Sequence, residues 1–293
     1  MRDLLAAVVQ MCAGPDPAAS LARAAELTGE ALARGADLVV LPENFWGVVP
    51  PGFDRSPWAL DLGASDPPVL AAQRELSAAS DALIVLGGLP ERPDPAVGAA
   101  PGTLFNTLVV LHRGRVAATY RKIHRFDATL PDGARLAEST TVAAGEHPTV
   151  LATPRVHLGL SICYDLRFPE LYRALAAAGA EALLVPSAFT LLTGMDHWIP
   201  LLRARAIENQ CFVLAPAQHG AHGHGRHSYG HSVIVDPWGC VIAEASRGDG
   251  VATAVLRADL LARVRADLPT HAHRRLTGET SVRRLTLAPE PAA

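Results

Sequence analysis

The chain contains one lysine. Lys122 lies in the segment ATYRKIHRF between Arg121 and Arg125, and every other residue among the 26 Lys and Arg is an arginine. A composition this biased can meet any need for a solvated positive charge with arginine. An ammonium offers what a guanidinium does not: a compact point charge with three rotatable donors and a pKa that responds to burial. Those properties suit a catalytic lysine. A nucleophile candidate stands in LGLSICYDLRFPELYRALAAAGA, where an apolar strand ends at Cys163, a polar turn follows and Pro169 opens a helix. A cysteine at a sharp strand-to-helix turn has backbone N–H groups and a helix N-terminus near its sulfur, a setting expected to favour the thiolate. This is the geometry of a nucleophile elbow, with Cys in place of Ser. The third candidate, Glu43, closes ADLVVLPE. A carboxylate there falls at the C-terminal sheet edge, where open α/β folds place ligands, and can act as a general base. Taken singly, each has a bland alternative: a strand-end lysine, a structural cysteine, a capping or surface glutamate.

These positions presuppose strands that end where the residues stand. Short apolar runs predict strands over residues 4–11, 36–43, 82–89, 105–112, 157–164, 182–189, 211–218, 231–238 and 250–257. Helical patterns predict helices over 17–34, 66–80, 169–179, 196–209 and 257–268, with Leu171, Leu175 and Ala178 sharing one face of the third. Several of the runs are apolar almost throughout, as strands covered on both faces are. LVVLHRGRVAATY and VIVDPWGCVIA read as antiparallel hairpins turning at Arg113-Gly114 and Pro237-Trp238-Gly239. The expectation is an α/β fold with mixed sheets and no long linker, and a weakly ordered or subunit-packing tail after residue 276.

The bulk numbers narrow the partners. The 293 residues are 49% hydrophobic and 19% charged, with a formal net charge of −3. That is a globular chain with a sizeable core and no electrostatic footprint for nucleic acid or an anionic membrane, so small molecules are the expected partners. The opening apolar stretch is too short for a secretory h-region and reads as a first strand. No window offers the run of apolar residues that a membrane span needs. Cys12, Cys163, Cys211 and Cys240 lie far apart without CxxC spacing, so neither a disulfide framework nor a zinc site is indicated, and a cytoplasmic location is expected. Apart from Cys163, the cysteines read as buried structural residues. HGAHGHGRHSYGHS places five histidines in thirteen residues, His219 to His231. It invites a metal-site reading, but its Gly-rich spacing sets no fixed geometry, and it reads instead as an active-site rim loop with adventitious metal affinity.

Glu43, Lys122 and Cys163, in this order and each at a strand end, resemble the catalytic pattern of the nitrilase, or carbon–nitrogen hydrolase, superfamily. The resemblance runs from the first strand to about Arg275. CYDLRFPE is similar to the Nit-type amidases rather than to true nitrilases. TYRKIHRFD, PSAFTLLTGMDHW, LLRARAIENQCFV and SYGHSVIVDPWG extend it towards the deaminated glutathione amidases. The resemblance implies a four-layer αββα sandwich that pairs as a homodimer or higher oligomer, and a hydrolase with no cofactor and no metal. It implies Glu43 as general base, Cys163 as thioester-forming nucleophile, and an oxyanion site made by Lys122 with the backbone N–H of Tyr164. Glu138, in RLAES, would orient Lys122 and the substrate, Arg167 would meet a substrate carboxylate, and Phe189 and Thr193 would line the pocket. The implied reaction is hydrolysis of a carboxyamide on a small dicarboxylate-like substrate, deaminated glutathione giving 2-oxoglutarate and cysteinylglycine. An ω-amidase acting on 2-oxoglutaramate shares these residues, and a non-catalytic metal or nucleotide binder on the same fold is the alternative from another class. For Arg167, the structural alternative is a salt bridge to Asp165 or Glu170.

Overall fold

The structure is a computed structural model that describes residues 1–61, 68–94, 100, 102–129, 133, 135–245, 247–276 and 278. The expected tail, 277–293, lies outside the described residues apart from Gly278. In chain order the strands are β1 (Leu4–Gln10), β2 (Leu38–Val40), β3 (Leu83–Glu91), β4 (Leu104–His112), β5 (Arg115–Arg121), β6 (Asp127–Thr129), β7 (Arg135–Ala137), β8 (Val142–Ala143), β9 (Thr149–Ala152), β10 (His157–Leu160), β11 (Ala182–Leu184), β12 (Phe212–Ala215), β13 (His219–Gly223), β14 (Arg226–Tyr229), β15 (Ser232–Val235), β16 (Val241–Ala245) and β17 (Gly250–Leu256). The helices are α1 (Pro17–Ala33), α2 (Pro68–Ala78), α3 (Pro169–Ala177), α4 (Leu191–Asn209), α5 (Ala258–Asp267) and α6 (Thr270–His273).

Two sheets carry the fold. One runs β17-β1-β2-β3-β4-β5 with β8 beside β4, and the other runs β16-β15-β12-β11-β10-β9. Each is mixed: β1-β2-β3 and β10-β11-β12 are parallel cores, and antiparallel strands flank both. The alternation of side chains explains the layering. Ala6 and Val8 of β1 share one core with Leu158 and Leu160 of β10, Leu184 of β11, and Trp198 and Leu202 of α4. Ala7 and Val9 turn the other way, into a second core with Leu27 of α1 and Leu70 of α2. The sheets thus face each other, with α1 and α2 outside one and α3 and α4 outside the other, giving the αββα order. Each fully buried Leu, Val or Phe stabilises this arrangement by about 1.5–3 kcal/mol. Trp198, also fully buried, keeps its indole N–H satisfied at the His231 carbonyl, 2.8 Å away.

The expected strands and helices form, most strands shorter than expected but β3 and β4 longer, and both hairpins form. Arg113 and Gly114 have φ of 50° and 74°, the left-handed pair of a type I′ turn. Four expectations fail. Helix α4 begins at Leu191 rather than 196 and runs through Gly194, where a Cβ would lie 2.3 Å from Tyr229 Cβ, so the glycine admits that ring against the helix. Helix α3 ends at Ala177, so Ala178 is its exposed C-cap and not a third residue on the face that Leu171 and Leu175 share. The His-rich segment is not a loop without fixed geometry but the hairpin β13–β14. Of the three cysteines expected to be buried and structural, only Cys211 is buried; Cys12 is half-buried and Cys240 exposed.

Candidate active site

Three strand ends converge. The chain leaves β2 through Leu41, whose N–H still bonds to Val85 O, and Pro42 then delivers the Glu43 side chain across the sheet edge. Lys122 follows β5, held by its own N–H on Asn106 O (2.8 Å) and by Gly145 N–H on its carbonyl (2.8 Å). Only glycine permits the second bond, since a Cβ on Gly145 would sit 2.1 Å from Arg121 O. Cys163 lies just beyond β10, opening a 3-10 turn over Cys163–Arg167, with its N–H on Pro186 O at 3.0 Å. Its φ of 47° is left-handed, which non-glycine residues adopt at a cost of roughly 1–2 kcal/mol. That sharp reversal is the elbow expected from the sequence.

The buried side chains form one network. Lys122 Nζ donates to Glu43 Oε1 at 2.9 Å and to Glu138 Oε1 and Oε2 at 3.0 and 2.9 Å. Asn106 Nδ2 bridges the same two carboxylates at 3.0 and 3.3 Å, and the second Glu43 oxygen accepts Ala188 N–H at 3.1 Å. Glu138 also accepts Phe126 N–H at 2.6 Å. Strand β3 bulges at Gly87-Gly88 to make room. A Cβ on Gly88, at φ 67°, would meet Asn106 Oδ1 at 2.7 Å and Glu43 Cγ at 2.8 Å.

Electrostatics follow from this packing. Burial alone would lower the Lys122 pKa, but the Glu138 and Glu43 carboxylates outweigh it and hold the ammonium well above the ordinary lysine range. For Glu138, burial acts upwards, and Lys122 with the Phe126 N–H prevails to hold the carboxyl below its usual value. Burial, then the Glu43 charge, push the Cys163 thiol well up against the opposing pull of Lys122. The expectation of a resting thiolate is therefore overturned. The turn supplies five residues of 3-10 helix, whose dipole cannot offset loss of solvation beside a carboxylate.

The remaining expected residues are distributed around this cluster. The Tyr164 N–H lies in the first turn of the 3-10 segment, where no intrahelical acceptor exists. Among the described residues Arg167 pairs with neither Asp165 nor Glu170; it contacts His197 Nδ1 at 3.2 Å, and its guanidinium lies over the Phe189 and Tyr164 rings at 5.3 and 5.8 Å. Phe189 is buried against Trp198. Thr193 shares a 2.8 Å hydroxyl contact with Thr190.

The histidines of the β13–β14 segment do not converge. His219 pairs with Asp249 at 2.8 Å, His231 with Glu244 at 2.6 Å, and buried His222 with Ala13 O and Ser228 Oγ at 2.8 Å each. Among the described residues no group of three His, Cys, Asp or Glu could hold a metal ion.

Sequence reasoning missed Asn106, whose signal was a polar pair, Asn-Thr, interrupting the apolar run of β4. It also missed Gln218, whose amide donates to Glu43 O at 3.1 Å and accepts Ala13 N–H at 2.9 Å. Arg55, on the segment after Glu43, was missed as well. Burial first, then Arg226, lower its pKa, while Glu138 and Glu43 act upwards.

The cluster thus brings a carboxylate, an ammonium and a protonated thiol to one sharp turn, groups that together can support acyl-thiol chemistry. The carbon–nitrogen hydrolase family profile matches residues 5–266. The deaminated glutathione amidase of Synechocystis sp. is 42% identical over 277 residues, covering 94% of this chain and 99% of that protein. The human deaminated glutathione amidase is 42% identical over 278 residues, covering 92% of this chain and 82% of its own. The crystal structure of Saccharomyces cerevisiae Nit3, a member of branch 10 of the nitrilase superfamily, superposes with a TM-score of 0.80 at 31% identity, covering 94% of this chain and 97% of that one. The chain belongs to the carbon–nitrogen hydrolase family and is a hydrolase of amide C–N bonds. No helix among the described residues is long and apolar enough to cross a membrane.

Proposed function

We propose that the protein is a thiol amidase in which Glu43, Lys122 and Cys163 carry the reaction and Glu138 holds Lys122. The observation that carries this reading is the buried ammonium shared by two carboxylates beside a cysteine in left-handed conformation. Because the thiol is protonated at rest, Glu43 takes its proton as sulfur attacks the amide carbon. The oxyanion forms against the Lys122 ammonium and the Tyr164 N–H. Collapse expels the amine, which receives the proton from Glu43. The same carboxylate then deprotonates water for attack on the thioester, releasing the acid and restoring the thiol.

The substrate we propose is deaminated glutathione, cleaved to 2-oxoglutarate and cysteinylglycine. The names of the similar amidases support it, as does Arg167, a guanidinium without a carboxylate partner among the described residues and suited to bidentate carboxylate recognition. Deaminated glutathione has a carboxylate at each end, and Arg55 is the candidate for the second. Residues 1–276 would form the hydrolase domain, with 277–293 as a tail. Exposed Leu191, Leu192 and Met195 at the start of α4 support assembly with a second copy. Four free cysteines support a reducing, cytoplasmic setting.

The test is product analysis with the wild type and Cys163→Ala. The wild type should release cysteinylglycine from deaminated glutathione, quenched reactions should carry an acyl mass on Cys163 alone, and Cys163→Ala should fold and be inactive. Activity in Cys163→Ala would sink the mechanism. Rapid ammonia release from 2-oxoglutaramate with no cysteinylglycine formed would replace the substrate by that of an ω-amidase.

A further inference from the structure

The active cluster is assembled across a seam between the two sheets. Lys122 continues a strand of one sheet and Cys163 a strand of the other, so their relative position depends on what ties the two chain segments together. One side chain does so directly. Asp165 is fully buried, and its carboxylate contacts four donor positions. Oδ2 accepts Ile162 N–H at 2.9 Å and the Tyr120 hydroxyl at 2.7 Å; Oδ1 accepts His124 N–H at 3.0 Å and meets His124 Nδ1 at 2.7 Å. An ionised carboxylate has about four lone-pair sites, so this one is saturated.

The placement of those partners gives the network its meaning. Tyr120 and His124 stand two residues before and two after Lys122. Ile162 and Asp165 stand one before and two after Cys163. Lys122 is thus pinned on both sides to the turn that presents the sulfur, through charge-assisted bonds that are stronger and shorter than neutral ones. The His124 ring also stacks on Phe168, with centroids 3.7 Å apart and planes 7° from parallel, which ties it to the far end of the same turn. Burial, then the Asp165 charge, push the Tyr120 phenol far above its ordinary range, so it remains an O–H donor.

We propose that Asp165 is a positioning residue for the amidase reaction, fixing the Lys122 ammonium against the Cys163 sulfur through Tyr120 and His124. The proposal rests on the roles given above to Lys122 and Cys163. Asp165 touches no reacting atom; it sets the distance and angle at which those two residues meet the substrate carbonyl. An error near 1 Å in such a distance can cost on the order of 100-fold in rate.

The experiment compares wild type, Tyr120→Phe and Asp165→Asn by kcat and KM, by thermal unfolding, and by the rate at which iodoacetamide modifies each cysteine, read by peptide mass. Tyr120→Phe deletes one bond to Asp165 and keeps the buried ring, so it isolates positioning from folding. We expect kcat to fall about tenfold in Tyr120→Phe and about 100-fold in Asp165→Asn, with KM within about twofold. Alkylation of Cys163 should slow in parallel, because the base and ammonium no longer meet the sulfur correctly, while exposed Cys240 reacts unchanged. A merely structural role gives the opposite sign: loosened packing exposes Cys163 and speeds its alkylation, while kcat per folded molecule is retained. That result, or wild-type kcat in Tyr120→Phe, overturns the proposal. If Asp165→Asn does not fold, Tyr120→Phe decides alone by the same readouts. Failure of the underlying mechanism is seen elsewhere, in the wild type: alkylation of Cys163 would leave turnover intact, and the proposal would fall with it.

Discussion

Replacing Lys122 by methionine keeps an unbranched, buried side chain and removes the charge that two carboxylates share. In the wild type Glu43 and Glu138 each lie within hydrogen-bonding distance of the ammonium, at 2.9 Å and at 2.9 and 3.0 Å, and both also bond Asn106 Nδ2. Their nearest oxygens are therefore no more than about 6 Å apart, where two unit negative charges repel by roughly 3 kcal/mol at an effective dielectric near 20. That repulsion is worth about two pH units, so one carboxyl in Lys122→Met should take up a proton near neutral pH. The sign is fixed by linkage. In the wild type the folded pKa of Glu138 is depressed, so its contribution is present above the unfolded pKa and lost as pH falls through the folded value. In the variant the shared carboxyl pKa is raised, so its contribution is present below the unfolded pKa and lost as pH rises through the folded value. The stability deficit of Lys122→Met should therefore grow between about pH 4 and pH 7, reaching roughly 3 kcal/mol. Urea unfolding of both proteins at several pH values measures it, and kcat measured alongside should be lower by about 10²–10³-fold, the loss of one oxyanion donor. A deficit that is flat with pH, or that shrinks towards neutrality, would refute the reasoning that Lys122 couples these two carboxylates.

Lys122→Arg keeps the charge but not its shape, and kcat should fall about 10²–10³-fold in a protein that still folds; near-normal kcat would mean that any positive charge serves. Arg167→Lys should raise KM for dicarboxylate-type amides more than for neutral amides, since an ammonium cannot reproduce a bidentate fork, and an equal effect on both would remove Arg167 from carboxylate recognition. Gly88→Ala places a Cβ at φ 67° and within 2.8 Å of Asn106 Oδ1 and Glu43 Cγ. It should cost more than about 2 kcal/mol in urea unfolding and lower kcat, and a loss below about 1 kcal/mol would show that the bulge has room to spare.

What the sequence revealed of this site, and what it hid, divide along one physical line. Glu43 and Cys163 were legible because each stands where an apolar run ends, and Lys122 because it is the one lysine in a chain that otherwise uses arginine; all three are local properties. The α/β class with mixed sheets followed for the same reason, in near-continuous runs such as ALIVL and CFVLA, whereas the facing of two sheets was implied by the family resemblance. Features that depend on a distant neighbour were not legible. The need for glycine at 194 shows only when Tyr229 is seen packed against it. The glycines between His219 and His231 read as a loop until β13 and β14 are seen to pair. Asn106 shows only as a polar interruption, with nothing in the chain to say that it bridges Glu43 and Glu138. The sulfur is the instructive error. A turn and a helix N-terminus near Cys163 argue for a thiolate, and both are local; burial and Glu43 argue for the thiol, and both arrive through the fold. The second pair prevails because desolvation acts on the whole charge whereas a short 3-10 turn offers only a fraction of one. A neutral resting thiol also fits the role proposed for Glu43: with the proton still on sulfur, a base is needed to remove it as attack begins, and the same proton is then available to the departing amine. In the proposed mechanism the Lys122 ammonium, held between the two carboxylates, meets the oxyanion as it forms.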